Sequence, residues 1–247
     1  MNNECCPHRG IILSFSILGL CLIIAAGIAG FTFYKVKSWD NSLSVIGSTK
    51  KQITSDRAKW ILSFSKNALE MDMKSAYVEM NKNLQIATKF FNDAGVETKN
   101  LVISPILSNQ NYYYNEKQAG MPKEYNLRQT VEIQSSDVEK ITKLAKDTQK
   151  LIDQGVLVST DSLEYYYSKL PELRVSLLGE AVKDATSRAE KIASSSGKQV
   201  GVLKDASIGV VQVLPVNSVE VSDYGAYDTS HIEKEVMVTV RASFMMK

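Results

Sequence analysis

Residues 177–201 read LLGEAVKDATSRAEKIASSSGKQVG. Ala181, Ala185 and Ala189 recur every fourth residue, and Leu177 and Ile192 extend the same stripe. Lys183, Asp184, Arg188 and Glu190 fall on the other side of a 3.6-residue repeat. This composition predicts a helix whose small side chains let its backbone approach a sheet closely, with Gly197 as the left-handed residue that ends it. The Gly197-Lys198 pair invites comparison with a phosphate-binding loop. That motif needs a glycine five residues earlier, where this chain has Ile192, and Ser or Thr after the lysine, where it has Gln199. It also opens a helix, and here the glycine closes one. The stretch reads as packing, so the rest of the chain must supply the sheet.

Working outward, Leu43–Gly47 and Ala58–Ser65 read as strands. A helix follows, with apolar positions at Leu69, Met73, Ala76, Met80, Leu84, Ala87, Phe91 and Ala94, closed by Gly95. Leu101–Leu107 and Leu127–Ile133 read as two more strands, joined by a loop holding Tyr112, Tyr113 and Tyr114. Ser136 and Glu139 stand in capping-box spacing at the start of a second helix, which Gly155 closes. Leu163, Tyr165 and Tyr167 alternate as a strand, and the third helix begins at Leu170 or Pro171, where a proline removes no internal hydrogen bond. Ser207–Leu214 and Glu235–Met245 read as the last strands, the latter with Val236, Val238, Val240, Ala242 and Phe244 on one face. Pro215–Ile232 between them reads as a long loop.

Helices with one apolar stripe and strands with one apolar face need each other. The order predicts an α+β fold: a largely antiparallel sheet with three amphipathic helices packed on one side, in a two-lobed domain over residues 42–247. Ahead of it lie a tail (1–10), a transmembrane helix (11–34) and a linker (35–41). Residues 11–34 carry no charge, and a 24-residue helix reaches about 36 Å, enough for a hydrocarbon core of about 30 Å. Gly27, Ala29 and Gly30 leave a cleaved signal peptide as the alternative, but the apolar run exceeds an ordinary signal core. Leu20 before Cys21 departs from a lipoprotein signal, and Cys5 and Cys6 read as thiols open to acylation in a suitable host. Arg9 on one flank and Lys35 and Lys37 on the other leave the orientation open.

The chain of 247 residues has 29 Lys+Arg and 27 Asp+Glu. Since Arg9, Lys35, Lys37 and Glu4 precede Trp39, the body is neutral, without the basic surplus of a nucleic-acid binder. All three cysteines lie in the first 21 residues, so the body has no disulfide. A Ser-His-Asp or Cys-His arrangement needs an imidazole base, and the body's one histidine, His231, sits in a loop without a serine elbow nearby. No cluster of ligands suits zinc, and Asp223 and Asp228 lack the alternating spacing of a calcium loop. The expectation is therefore no catalytic residue, no metal and no cofactor. Tyr112, Tyr113, Tyr114, Tyr224 and Tyr227 remain as candidate interaction residues, because tyrosine offers a ring to bury and a hydroxyl to keep wet.

The run LRVSLLGEAVKDATSRAEKIASSSGKQVGVLKDASI (residues 173–208) resembles the signature of the SIMPL domain family, an alanine-rich helix followed by a Gly-x-x-x-Gly turn into a strand, here Gly197 and Gly201. LSVIGSTKKQITSDRAKWILSFS (residues 43–65) is similar to the family's opening, with Gly47, Asp56 and Ala58 in place and Ser55 where a proline is usual. Gly95, KEYNLRQTVEI (residues 123–133) and the loop before the last strand follow in family order, whereas QGVLVST (residues 154–160) fits less closely. The resemblance implies structural roles for Gly47, Asp56, Ala58, Gly95, Ala181, Ala185, Ala189, Gly197 and Gly201. It further implies a non-enzymatic, extracytoplasmic envelope protein that self-associates into an oligomeric scaffold linked to stress tolerance. An adaptor that meets another protein or a glycan through its tyrosine loops is the second expectation.

Overall fold

The computed structural model describes residues 8–38, 41–97, 99, 101–111, 122–218, 222 and 224–247. It is an α+β protein with two antiparallel sheets where the sequence predicted one. The chain divides into two compact units. The first holds residues 1–49, 178–209 and 239–247, and the second residues 50–177 and 210–238.

Helix α1 (His8–Ser38) contains a stretch, Leu13–Lys37, long and apolar enough to cross a membrane, with a mean hydropathy of 2.3. Its large apolar side chains, from Leu13 to Val36, are exposed to their surroundings. This is the expected behaviour of a helix that meets lipid.

In the first unit, β1 (Ser42–Thr54), the C-terminal half of β9 (Glu233–Met246) and β7 (Val200–Ile208) make a sheet in the order β1-β9-β7. Helix α5 (Leu170–Ser195) enters this unit at Leu178 and covers the sheet with Ala185 and Ala189, which pack with Val45, Ala242 and Phe244. The last strand thus alternates as predicted, with Val236, Val238, Val240, Ala242 and Phe244 all buried. Strand β7 departs from the prediction. It occupies residues 200–208 and ends where Gly209 crosses Thr239, so only its last two residues fall in the apolar run 207–214. That run is shared instead by the end of β7 and the short β8 (Gln212–Pro215), which in the second unit pairs the N-terminal half of β9.

The second unit is built on the long antiparallel pair of β2 (Arg57–Leu69) and β5 (Glu124–Ser135), which pair in unbroken register from Ala58↔Ser135 to Leu69↔Glu124. β6 (Val158–Tyr166) lies on the free side of β2, and β3 (Leu101–Ile103) and β4 (Leu107–Gln110) lie on that of β5. The predicted strand 101–107 is broken because Pro105 has no N–H to give, and the Ser104 hydroxyl receives the Thr130 amide instead. Trp60, Leu62 and Phe64 from β2 and Leu127, Val131 and Ile133 from β5 form one apolar face, covered by Met80, Ala87 and Phe91 of α2 (Met73–Asp93). The Trp60 and Phe91 rings meet edge to face at 5.8 Å and 86°.

The second predicted helix is two: α3 (Val138–Lys146) and α4 (Gln149–Asp153), separated at Asp147. Its cap is Asp137, whose carboxylate accepts the Lys140 amide, and not Ser136. Either residue type can cap, and the first buried helical residue, Val138, sets the register one place later. Gly95, Gly155 and Gly197 all take positive φ, at 75°, 85° and 71°. In each case the next amide reaches back five residues, Val96 to Phe91, Val156 to Leu151 and Lys198 to Ala193, so all three helices close by one left-handed motif.

Candidate functional site

The alanine stripe and its partner are the tightest feature of the first unit. A Cβ on Gly47 would lie 2.2 Å from the Ala181 carbonyl oxygen and 2.5 Å from the Ala185 nitrogen, so β1 and α5 touch backbone to backbone. Ala181, Ala185 and Ala189 are fully buried, and the stripe continues at Ala193, whereas Ile192 is 50% exposed. This corrects the assignment of Ile192 to the inner face. Nor is Asp184 left to solvent: it accepts the Ser48 amide at 2.8 Å and the Arg188 guanidinium at 2.8 Å. The Ser48 hydrogen bond, ahead of a smaller burial penalty and helped by Arg188, holds the Asp184 carboxyl below its usual value of 3.8. Gly201 lies where the β7–β9 register shifts, and a Cβ there would sit 2.9 Å from the Met245 carbonyl oxygen.

In the second unit, Ala58 is buried in β2 and Gly95 closes α2. Asp56 precedes β2 and accepts both the Ser168 amide at 2.8 Å and the Ser168 hydroxyl at 2.6 Å, fixing the turn into α5. Burial would raise its carboxyl, but the two Ser168 donors outweigh that and keep it low.

Of the candidate interaction residues, Tyr112, Tyr113 and Tyr114 lie outside the described residues, as does Asp223. Tyr224 is 97% exposed, at the tip of a turn in which the Gly225 amide returns to the Ser222 carbonyl. Tyr227 is 40% exposed, with its ring tilted against Tyr166 at 6.1 Å. Loop 216–232 is not loose at its base. The Val213 amide binds the Ala226 carbonyl, the Asp228 amide binds the Val213 carbonyl, and the Tyr165 amide binds the Thr229 carbonyl.

Lys234 completes this clamp, and the sequence reading did not single it out. It is fully buried, with Nζ donating at 2.5 Å to the Tyr165 and Asp228 carbonyl oxygens and lying 5.4 Å from the Tyr227 ring centre. Burial lowers its pKa from the usual 10.5, against the opposing field of Asp228. The signal that could have found it is phase: Lys234 occupies the inward position of the alternation that continues at Val236 and Val238.

The polar groups around the clamp are turned toward each other. Ser230 and His231 both bind the Asp228 carboxylate, at 2.6 and 3.1 Å, so the serine is not activated by the imidazole. Burial would raise the Asp228 carboxyl, and the Ser230 and His231 hydrogen bonds reverse the sign. An open cleft of about 380 Å³ lined by Arg57, Ala58, Lys59, Gln134 and Tyr166 lies on the same unit. The Tyr166 phenol donates to Glu164, which with burial pushes its pKa up to about 12 and keeps it from serving as a base near neutrality. Among the described residues no group of three or more His, Cys, Asp or Glu side chains is placed to hold a metal ion.

No curated protein matches the chain. The SIMPL family, described as a protein of unknown function (DUF541), matches residues 43–244, which take in the described strands but for the first residue of β1 and the last two of β9, the described helices after α1, and the alanine stripe. The chain belongs to the SIMPL family, with an apolar N-terminal helix ahead of the family domain.

Proposed function

We propose that this is a non-enzymatic, membrane-anchored envelope protein whose SIMPL domain stands outside the cytoplasm and self-associates as a scaffold. The observation that carries self-association is β7. Among the described residues it pairs only with β9, and it exposes Val202 at 69%, Leu203 at 46% and Ile208 at 62%. An edge strand with bare apolar side chains is a template for another chain. A role in stress tolerance follows from family resemblance alone and is offered as such. Light scattering on the full chain in detergent tests the scaffold: an oligomer that Leu203→Lys with Ile208→Lys reduces to a monomer is expected, and a monomeric native chain overturns it. A reporter fused at Lys247 checks the placement, since activity confined to the cytoplasm would reverse the topology.

A second reading, an adaptor for a protein or glycan, rests on Tyr224. Its ring stands in solvent just ahead of residues 226–229, which Lys234 and three backbone hydrogen bonds hold, and such an exposed aromatic is of the sort interfaces use. Deleting residues 217–225 while the oligomer persists separates the readings: a bound partner lost by that deletion favours the adaptor.

A further inference from the structure

We propose that the end of the first unit's sheet next to the anchor is a docking surface for anionic phospholipid headgroups. The inference rests on the anchor reading of α1. Helix α1 ends at Ser38 and β1 begins at Ser42, and Asn41 is already fixed to the sheet, its carbonyl accepting the Met246 amide at 2.9 Å. Three peptide steps from Ser38 to Asn41 reach at most about 11 Å. Because the span runs to Lys37, a leash of about 11 Å keeps this end of the sheet within one to two headgroup layers, each about 5 to 8 Å deep, of the end of the span.

The side chains at that end match such a surface. Lys198 approaches the Asn41 amide oxygen at 3.4 Å, and Gln199 and Lys247 exchange backbone hydrogen bonds at 2.9 and 2.8 Å. Lys198 and Lys247 are exposed, and Lys35 and Lys37, also exposed, end the span. Asp40 is the one carboxylate in residues 35–41. Four ammonium groups on a leash this short give a charge complement to phosphodiester lipids that the neutral body as a whole does not. Each lysine held at an anionic surface favours contact by about fivefold, an effect that salt screens.

The test uses the full chain in vesicles of zwitterionic lipid alone or with about a third anionic phospholipid, treated with a membrane-impermeant amine reagent and read by peptide mass. Lys198 and Lys247 should react several-fold more slowly in the anionic vesicles, and molar salt should remove the difference. Inserting a long Gly/Ser leash between Asp40 and Asn41 should abolish the protection by freeing the sheet end. Equal reaction of Lys198 and Lys247 in both vesicle types overturns the proposal while leaving the anchor intact. Release of the chain from zwitterionic vesicles by an alkaline wash overturns the anchor reading instead. Lys198→Glu gives the matching variant: with the unfolding midpoint unchanged, Lys247 should lose most of its salt-sensitive protection in the anionic vesicles, and full protection retained at Lys247 counts against the docking surface.

Discussion

Two helices cover two sheets in this protein, and they do so in opposite ways. In the second unit α2 stands off from β2 and β5, and the gap is filled by Trp60, Phe64, Met80 and Phe91. In the first unit α5 lies against β1 with nothing larger than alanine between Gly47 and the helix backbone. The α5–β1 contact tolerates added volume poorly, and the contact of α2 with β2 and β5 tolerates lost volume poorly. A core of large residues takes its energy from area buried, and a core of small ones from closeness of approach.

The comparison breaks most visibly at Phe91. Phe91→Ala removes a fully buried ring from the second unit and should cost about 3 to 5 kcal/mol, measured by denaturant unfolding of the full chain in detergent. A cost below 1 kcal/mol would mean the gap collapses freely. Gly47→Ala adds one carbon to the first unit and should cost about 3 kcal/mol, the top of the overpacking range, because the atoms it meets are backbone. Ala185→Leu should cost about 1 to 3 kcal/mol for the same reason, with more freedom because a helix side chain can bend along its axis. An unchanged midpoint in either would show that α5 does not approach β1 this closely.

The smallest expected effect concerns acid. Asp184 in the first unit and Asp56 in the second both have carboxyls held below 3.8 in the folded protein, so each stabilises the fold above that pH and loses its contribution as pH falls through the lower folded value. Asp184→Asn and Asp56→Asn should therefore lower the unfolding midpoint at pH 7, with the difference from the native chain closing below pH 3.8. A gap that persists in acid would assign the effect to geometry and not to charge.

The sequence carried local information well. Gly95, Gly155 and Gly197 mark the three helix ends because a left-handed residue is demanded at one position regardless of what lies beyond. Ala181, Ala185 and Ala189 show which face of α5 turns inward, but nothing in their spacing names Gly47, which lies more than 130 residues away. Strand β7 was misplaced because periodicity reports burial, and seven of its nine residues are exposed. Lys234 escaped notice because its side-chain type argued surface while its place in the alternation argued core, and phase was the better guide. The three tyrosines at 112–114 lie outside the described residues, and Tyr224 is exposed because of a turn that its residue type alone could not reveal.

The division of the chain has a consequence for the order in which the protein can be made. The second unit comes from two stretches, most of it from residues 50–177 in one piece, while the first needs residues 1–49, 178–209 and 239–247 together. A chain emerging from its N-terminus therefore carries β1 and then α5 without the strand that lies beside β1 until nearly all of it has been synthesised. During that interval the edge of β1 waits for its partner, and joining β1 to β9 closes a far longer loop than pairing β2 with β5 does. An apolar helix such as α1, were it held in a membrane, would keep the waiting strand in place and so serve assembly as much as address.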